Sequence, residues 1–193
     1  MDKTNFITFL QNTNYFSLSI ATEIADRFNH KVISKNQFQL TEGKICDEYL
    51  YLEKGYMRSF AHDIESNEVT TNFSLPGQMI LEVSSFFNRT RSKENIQALT
   101  DCEGWYISYA QLNELFHALP QFREFGRSIL VKGFSDLKNR TLSMITETAE
   151  ERYAHLLATS PEILQHAPLK NIASYLGITD TSLSRIRKEL SAK

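Results

Sequence analysis

The chain has 193 residues, 41% of them hydrophobic and 11% aromatic, with a formal net charge of −2. That content supports a real core in one or two domains, and the near-neutral balance excludes a polybasic membrane anchor and a wholesale nucleic-acid coat protein. No apolar run approaches the roughly 20 residues a membrane span needs, and the opening Met1-Asp2-Lys3-Thr4-Asn5 lacks the regions of a secretion signal, so a cytoplasmic protein with no membrane partner is expected.

Three zones separate by periodicity. Residues 6–10 and 17–30 read as short helices. Residues 31–34, 37–40 and 49–53 are rich in β-formers. Glu53-Lys54-Gly55 is a turn before residues 56–61, Glu65-Ser66-Asn67 is another before 69–73, and Pro76-Gly77 is a third. Residues 95–98 and 105–108 continue the series. Short strands at near-regular spacing predict a small barrel or sandwich. Cys46 and Cys102 lie far apart and form no CxxC pair. No disulfide is expected of them in a reducing compartment, and an iron–sulfur cluster needs about four cysteines.

Residues 120–146 read as one long helix. Leu130, Phe134, Leu137, Thr141 and Met144 are spaced four, three, four, three, which is a coiled-coil seam. Phe122, Phe125 and Ile129 widen its apolar face at the start. At ~1.5 Å per residue the helix is ~40 Å long, more than a small barrel can cover. The spacing therefore predicts a parallel homodimer.

A further helix is marked by Ala149, Tyr153, Leu156 and Leu157, with breaks at Ser160-Pro161 and Ala167-Pro168. The stretch from Leu169 to Lys188 then reads as a helix-turn-helix. Ile172 and Leu176 share a face of its first helix, and Ala173 is small where a second helix must pass. Gly177 sits where a helix commonly ends in a left-handed residue. Ile178 plugs the gap between the helices, and Thr179 or Asp180 can cap the second. Leu183, Ile186 and Leu190 form the apolar stripe of that helix. Its other face carries Thr181, Ser182, Ser184, Arg185 and Lys188, the short hydrogen-bonding groups and long cations that base edges and phosphates require. From residue 169 onward five cations stand against two anions, a net +3 on a chain that is acidic overall.

These features in this order resemble the cyclic-AMP receptor protein/FNR (Crp/Fnr) family of bacterial transcription regulators. Glu53-Lys54-Gly55-Tyr56-Met57-Arg58-Ser59-Phe60 is similar to the family's strand–glycine–strand signature, and Phe73-Ser74-Leu75-Pro76-Gly77-Gln78 to its phenylalanine–proline–glycine turn. Gln97-Ala98-Leu99-Thr100-Asp101-Cys102-Glu103 resembles its following strand and turn. Ile172-Ala173-Ser174-Tyr175-Leu176-Gly177-Ile178 with Leu183-Ser184-Arg185-Ile186 resembles its DNA-reading end. The resemblance implies an α+β protein. A cyclic-nucleotide-binding-like β-barrel (jelly roll) would cover residues 1–119, a dimerisation helix 120–146, and a winged-type helix-turn-helix, its wing short or absent, 147–193. It implies that Thr181 and Arg185, with Asp180 beside them, read bases, and that Thr179 and Ser182 contact phosphate. Double-stranded DNA and a second copy of the chain are the implied partners, with RNA polymerase as a candidate third. A wing's backbone contacts would be missing or fall to Lys193.

The implied ligand pocket departs from the family pattern. Cyclic-nucleotide binders of the family carry a Gly-Glu pair and then an Arg-Ser or Arg-Thr pair. Here Leu81 replaces the glycine before Glu82, and Ser92-Lys93 stand where the arginine pair falls, with Glu94 close behind. Arg91 and Lys93 are the nearby cations. A phosphate without a bidentate arginine loses its strongest contact. Glu82, Arg91, Ser92 and Lys93 are thus candidate effector residues, with cyclic nucleotide disfavoured and no cofactor expected. His30, His62, His117, His155 and His166 are not at metal spacing, and no nucleophile–base pair or phosphate-binding glycine loop is present, so neither metal nor catalysis is expected. The reading is a transcription regulator; the rival is an effector-sensing module whose helical end binds protein instead of DNA.

Overall fold

The structure, a computed structural model, describes residues 2–191; Lys193 and any backbone contact it makes lie outside them. Helix α1 (Thr4–Asn12) and helix α2 (Leu18–Asp26) come first, and Ser17 caps α2 by accepting from the Ile20 N–H at 3.4 Å. The second helix ends at Asp26, short of the expected residue 30. Phe28 turns into the core, and residues 29–33 join a sheet instead.

Eight antiparallel strands follow: β1 (Asn29–Ile33), β2 (Phe38–Leu40), β3 (Glu48–Lys54), β4 (Met57–His62), β5 (Glu68–Ser74), β6 (Gln78–Ile80), β7 (Asn95–Ala98) and β8 (Cys102–Ser108). They form two four-stranded sheets of order β1-β8-β3-β6 and β2-β7-β4-β5. Eight strands in two sheets make a jelly roll, open-edged where a closed barrel would have none. The sheets bury Leu50, Leu52, Met57, Ile96 and Ile107 between them. Gly55 turns β3 into β4 at φ +91°, and a Cβ there would lie 2.5 Å from the Asp101 carbonyl oxygen. Only glycine fits such a turn without displacing backbone.

Helix α3 (Val83–Asn88) and helix α4 (Tyr109–Ala118) flank the sheets. Helix α5 (Pro120–Thr146) starts on a proline, whose fixed φ and missing N–H suit a first helical position. Phe122 and Phe125 anchor its first turns, with Phe125 5.5 Å from Phe16 and 5.7 Å from Phe122 between ring centres. One turn on, Ile129 still packs against the same core. Leu130, Phe134 and Leu137 are exposed, Phe134 at 69%. The expected seam has no apolar cover within this chain among the described residues. Met144 does not belong to it, because its methyl group packs on Gly177 of the C-terminal domain.

Helix α6 (Ala149–Thr159) opens with a reciprocal cap between Thr148 and Glu151, then α7 (Ile163–His166), α8 (Leu169–Tyr175) and α9 (Asp180–Ser191) complete the fold. Their core holds Tyr153, Leu156, Ile163, Ile172, Ala173, Leu176, Leu183 and Ile186. Leu190, expected in this stripe, is 36% exposed at the helix end. The same cluster takes in Phe73 and Leu99 from the sheet domain, so the two domains share one apolar contact. Helix α8 lies on the edge strand β5, where the Ser174 hydroxyl accepts from the Thr70 N–H at 3.1 Å. No hairpin precedes α8 among the described residues.

Candidate nucleic-acid interface and sensor pocket

The turn between α8 and α9 is set by Gly177 at φ +70°. The Ile178 N–H returns to the Ala173 carbonyl at 3.0 Å, closing the end of α8. The residue that caps α9 is Thr179: its hydroxyl accepts from the Ser182 N–H at 3.3 Å and lies 3.0 Å from the Ser182 hydroxyl. Asp180 is then the first residue of the helix, where a carboxylate suits the positive end of the dipole.

Burial splits α9 cleanly. Leu183 and Ile186 are buried against α8, while Thr181, Ser184, Arg185 and Lys188 point to solvent. Spacings of three, one and three residues place those four on one face. Thr179 and Asp180 are exposed at its start and Ser182 is half-buried beside them. All seven candidate DNA-binding residues therefore gather at one end and one face of α9. Among the described residues Arg185 forms a loose 3.9 Å pair with Glu189, both well exposed. Such a pair contributes little and yields readily to a stronger anion.

The C-terminal domain is oriented by contacts with the rest of the chain. The Arg140 Nη2 of α5 donates to the Tyr175 carbonyl at 2.8 Å. The Arg152 Nη2 and Nε of α6 donate to the Leu176 carbonyl at 2.8 and 3.2 Å. Two guanidinium groups thus hold adjacent carbonyls at the end of α8, which has no helical partners for them. Tyr56 stacks on His166 with ring centres 4.1 Å apart, and Phe73 lies 5.1 Å from Tyr175. Sequence reasoning missed Arg140 and Arg152, because nothing in their spacing marks a partner more than 20 residues away.

No hydrogen bond or ion pair joins the four candidate effector residues to one another among the described residues. Glu82 caps α3, its two carboxylate oxygens accepting from the Ser84 and Ser85 N–H groups at 3.0 and 2.6 Å. Ser92 is buried and closed on Glu94, donating to its carbonyl at 2.7 Å and accepting from its N–H at 3.0 Å. Arg91 and Lys93 are exposed. Leu81 packs against the core at the position where the family pattern has glycine. Nearby, burial pushes the Glu94 carboxyl up from its ordinary range; the Thr71 hydroxyl opposes this, Glu82 adds to it and Arg140 opposes it. Burial also raises the thiols of Cys46 and Cys102, both free. No cluster of three or more His, Cys, Asp or Glu suited to a metal occurs among the described residues, nor is any described helix long and apolar enough to cross a membrane.

The chain thus joins a β-sandwich through a long helix to a helix-turn-helix. Residues 30–118 match the cyclic nucleotide-binding domain family. The transcriptional activator protein Anr of Pseudomonas protegens is 22% identical over 166 residues, 80% of this chain and 67% of that protein. Its Pseudomonas aeruginosa counterpart is 24% identical over 187 residues, 88% of this chain and 75% of that one. The structure of FixK2 from Bradyrhizobium japonicum shares the fold with a TM-score of 0.75, at 18% identity over 86% of this chain and 85% of the other. Over residues 30–118 the chain is thus similar to cyclic nucleotide-binding domains, and over most of its length to two bacterial transcriptional activators.

Proposed function

We propose that the protein is a sequence-specific DNA-binding transcription regulator that acts as a homodimer on a palindromic operator. The observation that carries this reading is the division of α9 into a buried apolar stripe and a free face of Thr181, Ser184, Arg185 and Lys188. That face matches what a major groove offers: Arg185 to guanine O6 and N7, the hydroxyls to either base type, Lys188 to phosphate. Thr179 and Ser182, at the N-terminal end of the helix, suit phosphate contacts near the positive dipole. Asp180 at the helix start suits a cytosine amino group.

The exposed run of Leu130, Phe134 and Leu137 supports dimerisation through α5. A parallel pair of such helices carries two α9 helices into successive grooves about 34 Å apart, hence a rough palindrome. RNA polymerase is proposed as a further partner of the DNA-bound dimer. For the sheet domain we propose that cyclic AMP is not the effector. Both oxygens of Glu82 are spent on the α3 cap, so ribose binding there would leave the cap's N–H groups unmatched.

Selection from a randomised duplex pool with purified protein, at moderate salt with and without cyclic AMP, tests all of this. An enriched palindrome in both conditions is expected. Enrichment only with the nucleotide overturns the reading of Glu82. Failure to retain any duplex, even at low salt, overturns DNA binding and favours a protein-interaction role for the helical end.

A further inference from the structure

Helices α5, α6 and α8 enclose a cleft of about 780 Å³. Small-molecule sites typically occupy roughly 300–1,000 Å³. Arg140, Arg152 and His155 line it together with Leu142, Leu156 and Tyr175. The two guanidinium groups have an unusual set of partners. Arg140 donates to the Tyr175 carbonyl, and Arg152 to the carbonyls of Leu176 and Glu147. All of these acceptors are neutral. The arginine–carboxylate pairs among the described residues lie elsewhere, on Arg27, Arg58, Arg89, Arg127 and Arg185. The Arg140 Nε is buried and has no hydrogen-bond partner.

The carboxylates that line the cleft do not neutralise these groups. Asp136 pairs with Lys132 at 3.1 Å, and the Glu147 carboxylate accepts from the Ser143 hydroxyl at 2.6 Å. Arg152 has no carboxylate hydrogen bond among the described residues, and the half-buried Glu94 carboxyl acts on Arg140 only through space; guanidinium N–H groups held by neutral carbonyls in a partly desolvated cleft favour an incoming anion. A partner helix packed on Phe134 would meet the other side of α5 from the middle of the cleft. At about 100° per residue, Ser143 of the cleft lies about 180° around α5 from Phe134 of the seam.

We propose that this cleft binds a small oxyanion-bearing metabolite, its anion on Arg140 and Arg152 and its body against Leu142, Leu156 and Tyr175. The proposal deepens the regulator reading by giving it an effector site outside the sheet domain, and it rests on that reading only for its consequence. The same guanidinium groups hold the last carbonyls of α8, ahead of Gly177 and α9. An anion that draws them away loosens α8 and changes how α9 is presented to DNA. The guanidinium fork accepts phosphate or carboxylate alike, so a phosphate ester and a polycarboxylate share this chemistry.

Isothermal titration of the full chain with AMP, citrate and neutral adenosine at fixed ionic strength tests the site. AMP, citrate or both should bind at one site per protomer, the pattern telling phosphate from polycarboxylate, and adenosine should not bind. His155→Glu, at an exposed position of α6 that lines the cleft, should weaken the anion about tenfold or more through like-charge repulsion. Circular dichroism and the melting curve of this variant should match the parent. If neither anion binds at millimolar concentration, or if His155→Glu leaves the affinity unchanged, the site is refuted. Operator binding by ligand-free protein is read separately, so a failed titration leaves the DNA reading standing and a failed operator assay leaves the titration interpretable.

Discussion

Phe134→Asp is the sharpest test of how the protein assembles. In the isolated chain Phe134 keeps 69% of its surface in water. A phenylalanine buries roughly 150–250 Å², so about 140 Å² remains available to a partner. At ~25 cal/mol per Å² that is about 3.5 kcal/mol for each protomer. A two-fold seam counts the residue twice, about 7 kcal/mol as an upper bound. Aspartate removes both contributions and sets two carboxylates across the seam. Half the bound, at about 1.4 kcal/mol per tenfold, already weakens the dimer about 300-fold. Sedimentation velocity over a micromolar concentration series should show a wild-type dimer and a variant monomer with an unchanged far-ultraviolet spectrum. Asn139→Ala, on the cleft side of α5, should leave the dimer intact. A monomeric wild type, or a Phe134→Asp protein that dimerises as tightly as its parent, refutes the seam.

Other expectations follow from the same contacts. Gly177→Ala places a Cβ at φ +70° and 2.4 Å from the Met144 methyl, which must swing away; it should cost about 1–2 kcal/mol in a urea melt, and an unchanged midpoint would count against the turn. Arg185→Ala should lose ~1–3 kcal/mol of discrimination at one base pair per half-site, whereas Lys188→Ala should weaken all sequences alike and flatten the salt dependence by about one unit of slope. Identical changes in the two variants would exclude their assigned roles. Glu94 gives a pH test. Because burial raises its carboxyl in the folded protein, the folded state keeps a proton that the unfolded state releases, and stability falls as pH rises through that window. Glu94→Gln should therefore match the parent on the acid side of the carboxylate range and melt higher at neutral pH; a difference that does not grow with pH contradicts this.

The helix-turn-helix was legible because each of its signals is local: an apolar pair four apart, a glycine at the left-handed turn and a hydroxyl at the cap. The strands were legible for the same reason, since Gly55 and the β-formers around it act within a few residues. Met144 was misread because a 3.5-residue template was laid on a 3.6-residue helix. The drift is ~20° per heptad, so two heptads beyond Leu130 the side chain has rotated about 40° and meets Gly177. Helix α4 carried a readable signal that went unused. Ser108 and Gln111 form a reciprocal cap, the Ser108 hydroxyl accepting from the Gln111 N–H. Strand β6, three residues long, had no periodicity to show. The pairing of Thr70 with Ser174 spans 104 residues and the arginines on α8 span 35 and 24, distances over which a single sequence holds no pattern.

The seat of α8 on β5 also bears on how the chain can be divided. An edge strand with open N–H groups is a template for pairing with another molecule. Here α8 serves as that edge's guard, since Ser174 occupies the Thr70 N–H while Phe73 and Leu99 lie in the shared apolar contact. A fragment cut after α5 would lose the guard and bare both the edge and those side chains. The sheet domain is therefore a poor candidate for expression alone, and any movement that frees α8 must cover this strand in another way or accept its stickiness.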